Sequence, residues 1–448
     1  MSSTPISFES FPLEILHMVL MEMPDMESLD NLVRASPSAY WLFPRHGVEI
    51  IERVVDSGYV YRDSQILIRT IAYIRTGDFP FTSLSELQQR VTSVSLTTGT
   101  PGRESPDYHA FRPARFPQGS TPSLMLGILA TLRRITFLTL DCIDVHLKRL
   151  RSSRPYQSAN GRYGVTSDSI CYNADGALLR DILQMDHDDH ARVSLDVKDI
   201  GPATWVEEQT VYRTFLQIQL NDDLRLAVHN NIVRGWTYDE RLKLTELAFM
   251  DIYDFEEMSY WMQLIFEWIH DKQDPLPGYA ELQEPGVVLT VLNYLDERRK
   301  VHGTLSPTPS WSRRGPAPSP RKEDCDRLVG ELSAIVGEFV VVYTPDRCHD
   351  MLGFGPYRRL GFSLWCEERL RGYGVLLDDN TGLDLITWIS FLDDEDRNAL
   401  RKGVLKPGWC RGRDPLSQRT TVRGRTISHT NPVADEQHTI MYYFPNLD

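Results

Sequence analysis

Three prolines divide residues 11–43 of this chain into short segments that leave room for little except helices. They are Pro12, Pro24 and Pro37. In Phe11-Pro12-Leu13-Glu14-Ile15-Leu16-His17-Met18-Val19-Leu20, Pro12 suits the first turn of a helix, where its missing N–H costs nothing. Glu14 falls in the same turn, where a negative charge meets the positive helix end. The helix carries Ile15, Leu16, Val19, Leu20 and Met23, an apolar stripe wider than a single packing partner needs. Met23-Pro24 closes it, because a residue before proline is biased away from helix. Asp25 then caps a second helix with Met26, Leu29, Leu32 and Val33. Ser36-Pro37 caps a third, with Tyr40, Trp41, Leu42 and Phe43. Three helices this short bury too little surface to be stable alone. Their remaining apolar faces need either the rest of this chain or another protein.

This order of residues resembles the F-box. That family opens Leu-Pro-x-Glu-Ile-Leu, continues through a hydrophobic helix and an acidic-Leu spacing, and ends in a third helix with an aromatic. Pro12, Glu14, Ile15, Leu16 and Leu20 match the opening, with Phe11 standing where Leu is usual. Leu29 and Leu32 match the middle. The third part departs: in place of Val-Cys-basic-x-Trp stands Ala35-Ser36-Pro37-Ser38-Ala39-Tyr40-Trp41-Leu42-Phe43, a variant similar to that of filamentous-fungal F-box proteins. The resemblance implies docking to the Skp adaptor, and through it to a cullin, by way of Phe11, Pro12, Leu13, Ile15, Leu16, Leu20, Leu29, Leu32 and Trp41. The rest of the chain would then recruit an unknown protein substrate. Catalysis in such a complex is proximity, so the receptor needs no nucleophile or base of its own. On this reading Leu16→Asp abolishes adaptor binding by placing a charge in a buried apolar contact. The alternatives are a Skp-bound scaffold working outside the ligase and a helical interaction protein with no ligase role. The latter expects Ile15, Leu16, Val19 and Leu20 all to be covered by the chain's own later helices.

The remaining sequence reads as mainly α, with little or no β. After the F-box at 1–56 comes a helical extension at 57–96, where Ile66, Leu67, Ile71 and Ile74 recur at helical spacing. Ser83 and Glu86 form a capping-box pair just ahead of Leu84, Leu87, Val91 and Val94. A linker spans 97–123, and a helical recruiting region runs over 124–302. Within that region helices are expected near 124–150, 177–185, 207–218, 238–252 and 256–270. A Pro/Ser-rich linker occupies 303–323, a helical C-terminal region 324–405 and a polar tail 406–448. Tyr357–Tyr373 reads as one helix stopped by Gly374. Trp236, Trp261, Trp268, Trp365 and Tyr373 read as core rather than as a substrate groove.

A net charge of −14 argues against nucleic acid and against an anionic membrane surface as partners. The most apolar run, Leu124 to Leu150, contains Arg133, Arg134, Asp141 and Asp144, each costly at a bilayer centre. Glu9 and Glu14 interrupt any signal-peptide core, so the cytosol or nucleus is expected. The six cysteines include no CxxC pair and read as free thiols. Asp186-His187-Asp188-Asp189-His190 has two histidines three apart beside carboxylates, but no further ligand is identifiable, and it reads as a solvated acidic stretch. Arg313-Arg314 and Arg321-Lys322, together with Ser306-Pro307, Thr308-Pro309 and Ser319-Pro320, read as hydrated linker. No GxSxG elbow, phosphate-binding loop or GxGxxG run is present. The chain therefore reads as a non-enzyme with no cofactor and no metal.

Overall fold

A computed structural model describes residues 8–87, 111–158, 164–165, 192–232, 235–246, 265, 357, 359–362, 364–376, 383–394 and 397–398. Over these the chain is mainly α. The run 186–190, the linker 303–323, the tail 406–448, the helices expected near 177–185 and 256–270, and Trp261 and Trp268 lie outside the described residues.

The N-terminal helices form as their caps dictate. A 3-10 turn at Phe8–Ser10 leads into α1 (Leu13–Met21), with Pro12 at its cap. The Asp25 carboxylate accepts a 2.7 Å hydrogen bond from the Ser28 N–H and opens α2 (Met26–Ala35). The Ser36 hydroxyl accepts one of 3.1 Å from the Ala39 N–H and opens α3 (Pro37–Val55). α3 runs well past the aromatic cluster that announced it and continues through Pro44. The buried side of α3 explains this: Phe43, Gly47, Ile50, Ile51, Val54 and Val55 hold the helix against the core on both sides of the proline. α4 (Arg62–Thr76) buries Ile66, Leu67, Ile71 and Ile74, as their spacing requires, and ends at Gly77 in the left-handed region (φ +76°). At Ser83 the hydroxyl accepts from the Glu86 N–H at 3.1 Å, while the Glu86 carboxylate reaches Thr82 rather than Ser83, so the box closes one residue early.

Residues 111–121, the end of the stretch read as a linker, lie on the core. Phe116 is buried, and its N–H donates to Glu52. Thr121 then caps α5 (Pro122–Ser152), whose Ile128, Leu132, Ile135, Leu138, Cys142 and Leu150 are buried as expected. By length and composition α5 could cross a membrane; in this fold it packs against α2, α3, α4 and the later helix α6.

α6 (Trp205–His229) is the centre of the molecule. It opens with a full capping box between Thr204 and Glu207 and packs on α4 and α5. The sequence pattern allowed only 207–218. The helix is longer because it is buried on nearly every side, so Gln217, Gln219, Asn221, Asp222 and Asp223 are inside as well, and no apolar period marks its second half. α7 (Tyr238–Glu246) follows. Trp236 is buried, its indole N–H donating to the Phe81 carbonyl at 2.8 Å.

The single helix expected over Tyr357–Tyr373 is a correction. Residues 359–362 form turns, 364–366 are not helical, and α8 covers only Glu367–Gly372. Gly361 is the cause. It sits in the left-handed region (φ +78°), and a Cβ there would meet the Trp365 ring at 2.8 Å. Gly374 (φ +68°) ends α8 as expected, and Trp365 and Tyr373 are core. α9 is Leu385–Ser390. Among the described residues the β content is two short antiparallel pairs. In one, β1 (Tyr156–Ser158) meets β3 (Arg192–Ser194) with Gln157 opposite Val193; in the other, β2 (Gly164–Val165) meets β4 (Leu383–Asp384). Cys142 and Cys366 are free thiols, and burial pushes the Cys366 thiol up to about 12.

Candidate docking surface of the N-terminal helices

α1 and α3 lie side by side and run in the same direction. Glu9 accepts a 3.1 Å hydrogen bond from the Ser38 N–H, the His17 and His46 rings meet at 4.5 Å, and Glu22 pairs with Arg53 at 3.2 Å. These contacts join residues 29, 29 and 31 apart in the chain, a nearly constant offset that only parallel helices can keep. The hydrogen bonds from Ser36 and Ser38 hold the Glu9 carboxyl below its ordinary range. α2 joins the pair and is pinned to α5, because buried Asp30 takes Arg34 at 2.7 Å and Arg133 at 3.1 Å. Burial raises the Glu27 carboxyl, with the nearby Asp25 charge adding to the shift.

Within α1 the apolar residues divide. Leu16 and Leu20, four apart, are fully buried against the chain's own core at 1% and 0% exposure. Ile15 and Met18, three apart on another face, are exposed at 42% and 61%. Phe11 and Leu13, at the start of the helix, are exposed at 40% and 42%. On α3, Tyr40 and Trp41 are exposed at 55% and 49%, and the Arg45 guanidinium lies 3.9 Å over the Trp41 ring. With the constant offset, Phe11 stands level with Tyr40, so the two exposed groups share one end of the parallel pair.

The nine residues singled out by sequence therefore fall into two sets. Phe11, Pro12, Leu13, Ile15 and Trp41 face outward; Leu16, Leu20 and Leu29 are internal, and Leu32 is half-buried. Of the four residues whose joint burial would mark a self-covered helix, Leu16 and Leu20 are buried, Val19 is half-buried and Ile15 is open. Sequence reasoning missed Met18 and Tyr40. Met18 was legible at three residues from Ile15 and seven from Phe11, whereas Tyr40 needs the pairing of α3 with α1 to place it.

A second group has no signature in the sequence. His17 on α1 and His46 and Glu49 on α3 bring their ligand atoms within 4.8 Å of one another. Glu49 Oε2 is 3.6 Å from His17 Nε2 and 3.7 Å from His46 Nδ1. His17 Nε2 is buried and makes no hydrogen bond.

Known proteins offer no parallel: no family model matches the chain, and neither the curated proteins nor the solved structures hold a significant match to it.

Proposed function

We propose that this chain is a non-catalytic substrate receptor of a Skp–cullin–F-box ubiquitin ligase, docking the Skp adaptor through the outer faces of α1 and α3. The observation that carries the reading is the division of α1. Leu16 and Leu20 belong to the chain's own core, while Phe11, Leu13, Ile15 and Met18, and Tyr40 and Trp41 on the adjacent α3, are 40–61% exposed. An outward apolar set of this kind, with Glu14 exposed on the same helix and Arg45 over the Trp41 ring, has the composition of an interface core with polar residues about it. Of this set Ile15 matches the F-box opening, Phe11 stands at its Leu position and Trp41 lies in the variant third part. The large aromatics and aliphatics supply anchors for the adaptor, and the helical body beyond residue 57 supplies the surface that selects a protein to be modified. Ubiquitin transfer in that arrangement is a matter of effective concentration, so the chain contributes position and no reacting group.

The buried position of Leu16 changes the decisive experiment. Leu16→Asp would break the core, so loss of binding in that variant reports unfolding. Ile15→Asp and Trp41→Asp place the charge on the open face. Titration of purified Skp adaptor onto the full-length protein is expected to show binding by the wild type and its loss in both variants, with the far-ultraviolet circular dichroism unchanged. Undiminished binding by folded Ile15→Asp, or no binding by the wild type, would sink the reading. Recovery of the adaptor without a cullin would favour the scaffold role outside the ligase.

A further inference from the structure

We propose that His17, His46 and Glu49 form a site for a divalent transition-metal ion of the zinc class, clamping α1 to α3. The inference goes beyond the docking reading and does not rest on it.

Three observations carry it. First, the donor set is two imidazoles and one carboxylate, a combination that suits zinc and its neighbours and is poor for magnesium or calcium, which prefer oxygen. Second, the geometry is near what coordination needs. Bonds of about 2.0–2.2 Å in a tetrahedron set neighbouring ligand atoms about 3.3 Å apart. Glu49 Oε2 lies 3.6 Å from His17 Nε2 and 3.7 Å from His46 Nδ1. The whole set lies within 4.8 Å, so it closes on an ion by side-chain rotation alone. Third, His17 Nε2 is enclosed and bonds to nothing, although a buried ring nitrogen ordinarily finds a partner. Both contacts with the carboxylate are longer than a hydrogen bond. An ion between the three groups gives that nitrogen a partner and accounts for two imidazole rings held 4.5 Å apart around one carboxylate.

The backbone arrangement is equally suited. His46 and Glu49 are three residues apart on α3, hence on one helix face. His17 reaches them from α1 at the level fixed by the parallel pairing. Three protein ligands leave a fourth position, and the exposure of the Glu49 side chain (60%) opens that position to water. Deprotonated ligands from two separate helices make binding a fold-stabilising event.

The test uses the full-length protein freed of metal with a chelator. Zinc chloride is titrated calorimetrically into the wild type and into His46→Gln, His17→Gln and Glu49→Gln. Cobalt(II) chloride is then added as a spectroscopic probe. The wild type is expected to take up an equivalent of zinc that each variant loses or binds roughly tenfold or more weakly. Cobalt is expected to give a ligand-field absorption that is absent in His46→Gln, and zinc is expected to raise the thermal midpoint of the wild type and not that of His46→Gln. A loss seen in His17→Gln alone reports folding, because its ring nitrogen is buried; His46→Gln, with the more open side chain, and the exposed Glu49→Gln decide. Equal zinc stoichiometry and affinity in wild type and His46→Gln would overturn the proposal, because the ion would then sit elsewhere, the run Asp186–His190 included. So would the absence of any zinc uptake by the wild type at micromolar protein.

Discussion

Ile15 and Leu16 are neighbours in the chain and opposites in the fold. Leu16→Ala removes buried methyl groups and leaves a cavity, so it is expected to lower the unfolding free energy by roughly 2–5 kcal/mol. Ile15→Ala is expected to change it by about 1 kcal/mol or less, since the side chain is already partly exposed. Denaturant titration of both variants checks the contrast. A second expectation concerns Asp222 on α6, where burial, with the neighbouring Asp223 charge adding to it, raises the carboxyl to about 7 against the pull of Arg225 and Arg134. Neither of its side-chain oxygens has a hydrogen-bond partner. Because the folded value lies above the unfolded value of about 4, the folded state holds a proton that the unfolded chain has released. Its stabilising contribution is complete below about pH 4 and is lost as pH rises through about 7. Asp222→Asn is expected to flatten the stability profile between those limits and to leave the protein more stable than wild type at pH 8, by about 1 kcal/mol or more, as read from denaturation midpoints against pH. At this scale the sequence told which residues are apolar but not which are sealed. The apolar residues of α1 occupy more than one face, and only the neighbouring helices decide which face is inside.

Among the elements, the strongest local signals were the caps. Asp25 and Ser36 begin α2 and α3 where the sequence says they should, because a side-chain acceptor three residues before an otherwise orphan N–H acts locally and needs no distant partner. Ser36→Ala and Asp25→Ala are each expected to cost about 1 kcal/mol in chemical denaturation. α4 and α5 were legible for a similar reason, since one side of each is apolar and period 3.6 records it. The stripe disappears where that condition fails. α6 is surrounded, so half its length carries amide and carboxylate side chains inward and no stripe survives. The segment before α8 looked helical by spacing, yet Gly361 turns the chain back against the Trp365 ring. Gly361→Ala is expected to destabilise the protein by more than about 1 kcal/mol, because a left-handed backbone and a ring at 2.8 Å both resist the added carbon. A denaturant midpoint equal to that of wild type would contradict it.

At the scale of the whole molecule, ion pairs between distant parts of the chain fix the arrangement. Arg369 and Glu207 are both fully buried and meet at 2.8 Å, with Asp199 and the Gly201 and Pro202 carbonyls taking the remaining guanidinium hydrogens. Glu207 caps α6 as well, so a single carboxylate closes the start of the central helix and holds the C-terminal turns against it. Arg369→Ala leaves that carboxylate buried without its partner and is expected to cost roughly 3–5 kcal/mol. Denaturation, with earlier cleavage after residue 356 in limited proteolysis, measures it. Nothing in the sequence foretold the pair, because 162 positions separate its members and charge alone does not say which arginine meets which acid. The same holds for Arg75 with Asp223, 148 positions apart, whereas Arg69 on α4 pairs with the adjacent α3, reaching Glu52 at 2.7 Å and Asp56 at 2.6 Å. That last cluster grips the far end of α3, whose near end carries Tyr40 and Trp41 in water. A helix of 19 residues spans about 28 Å. It is thus a strut with one foot cemented in the body and the other at the rim, and α1 is lashed alongside. Anything that grasps the exposed side of that rim takes hold, among the described residues, of the core through Ala39, Leu42 and Phe43 one turn beneath.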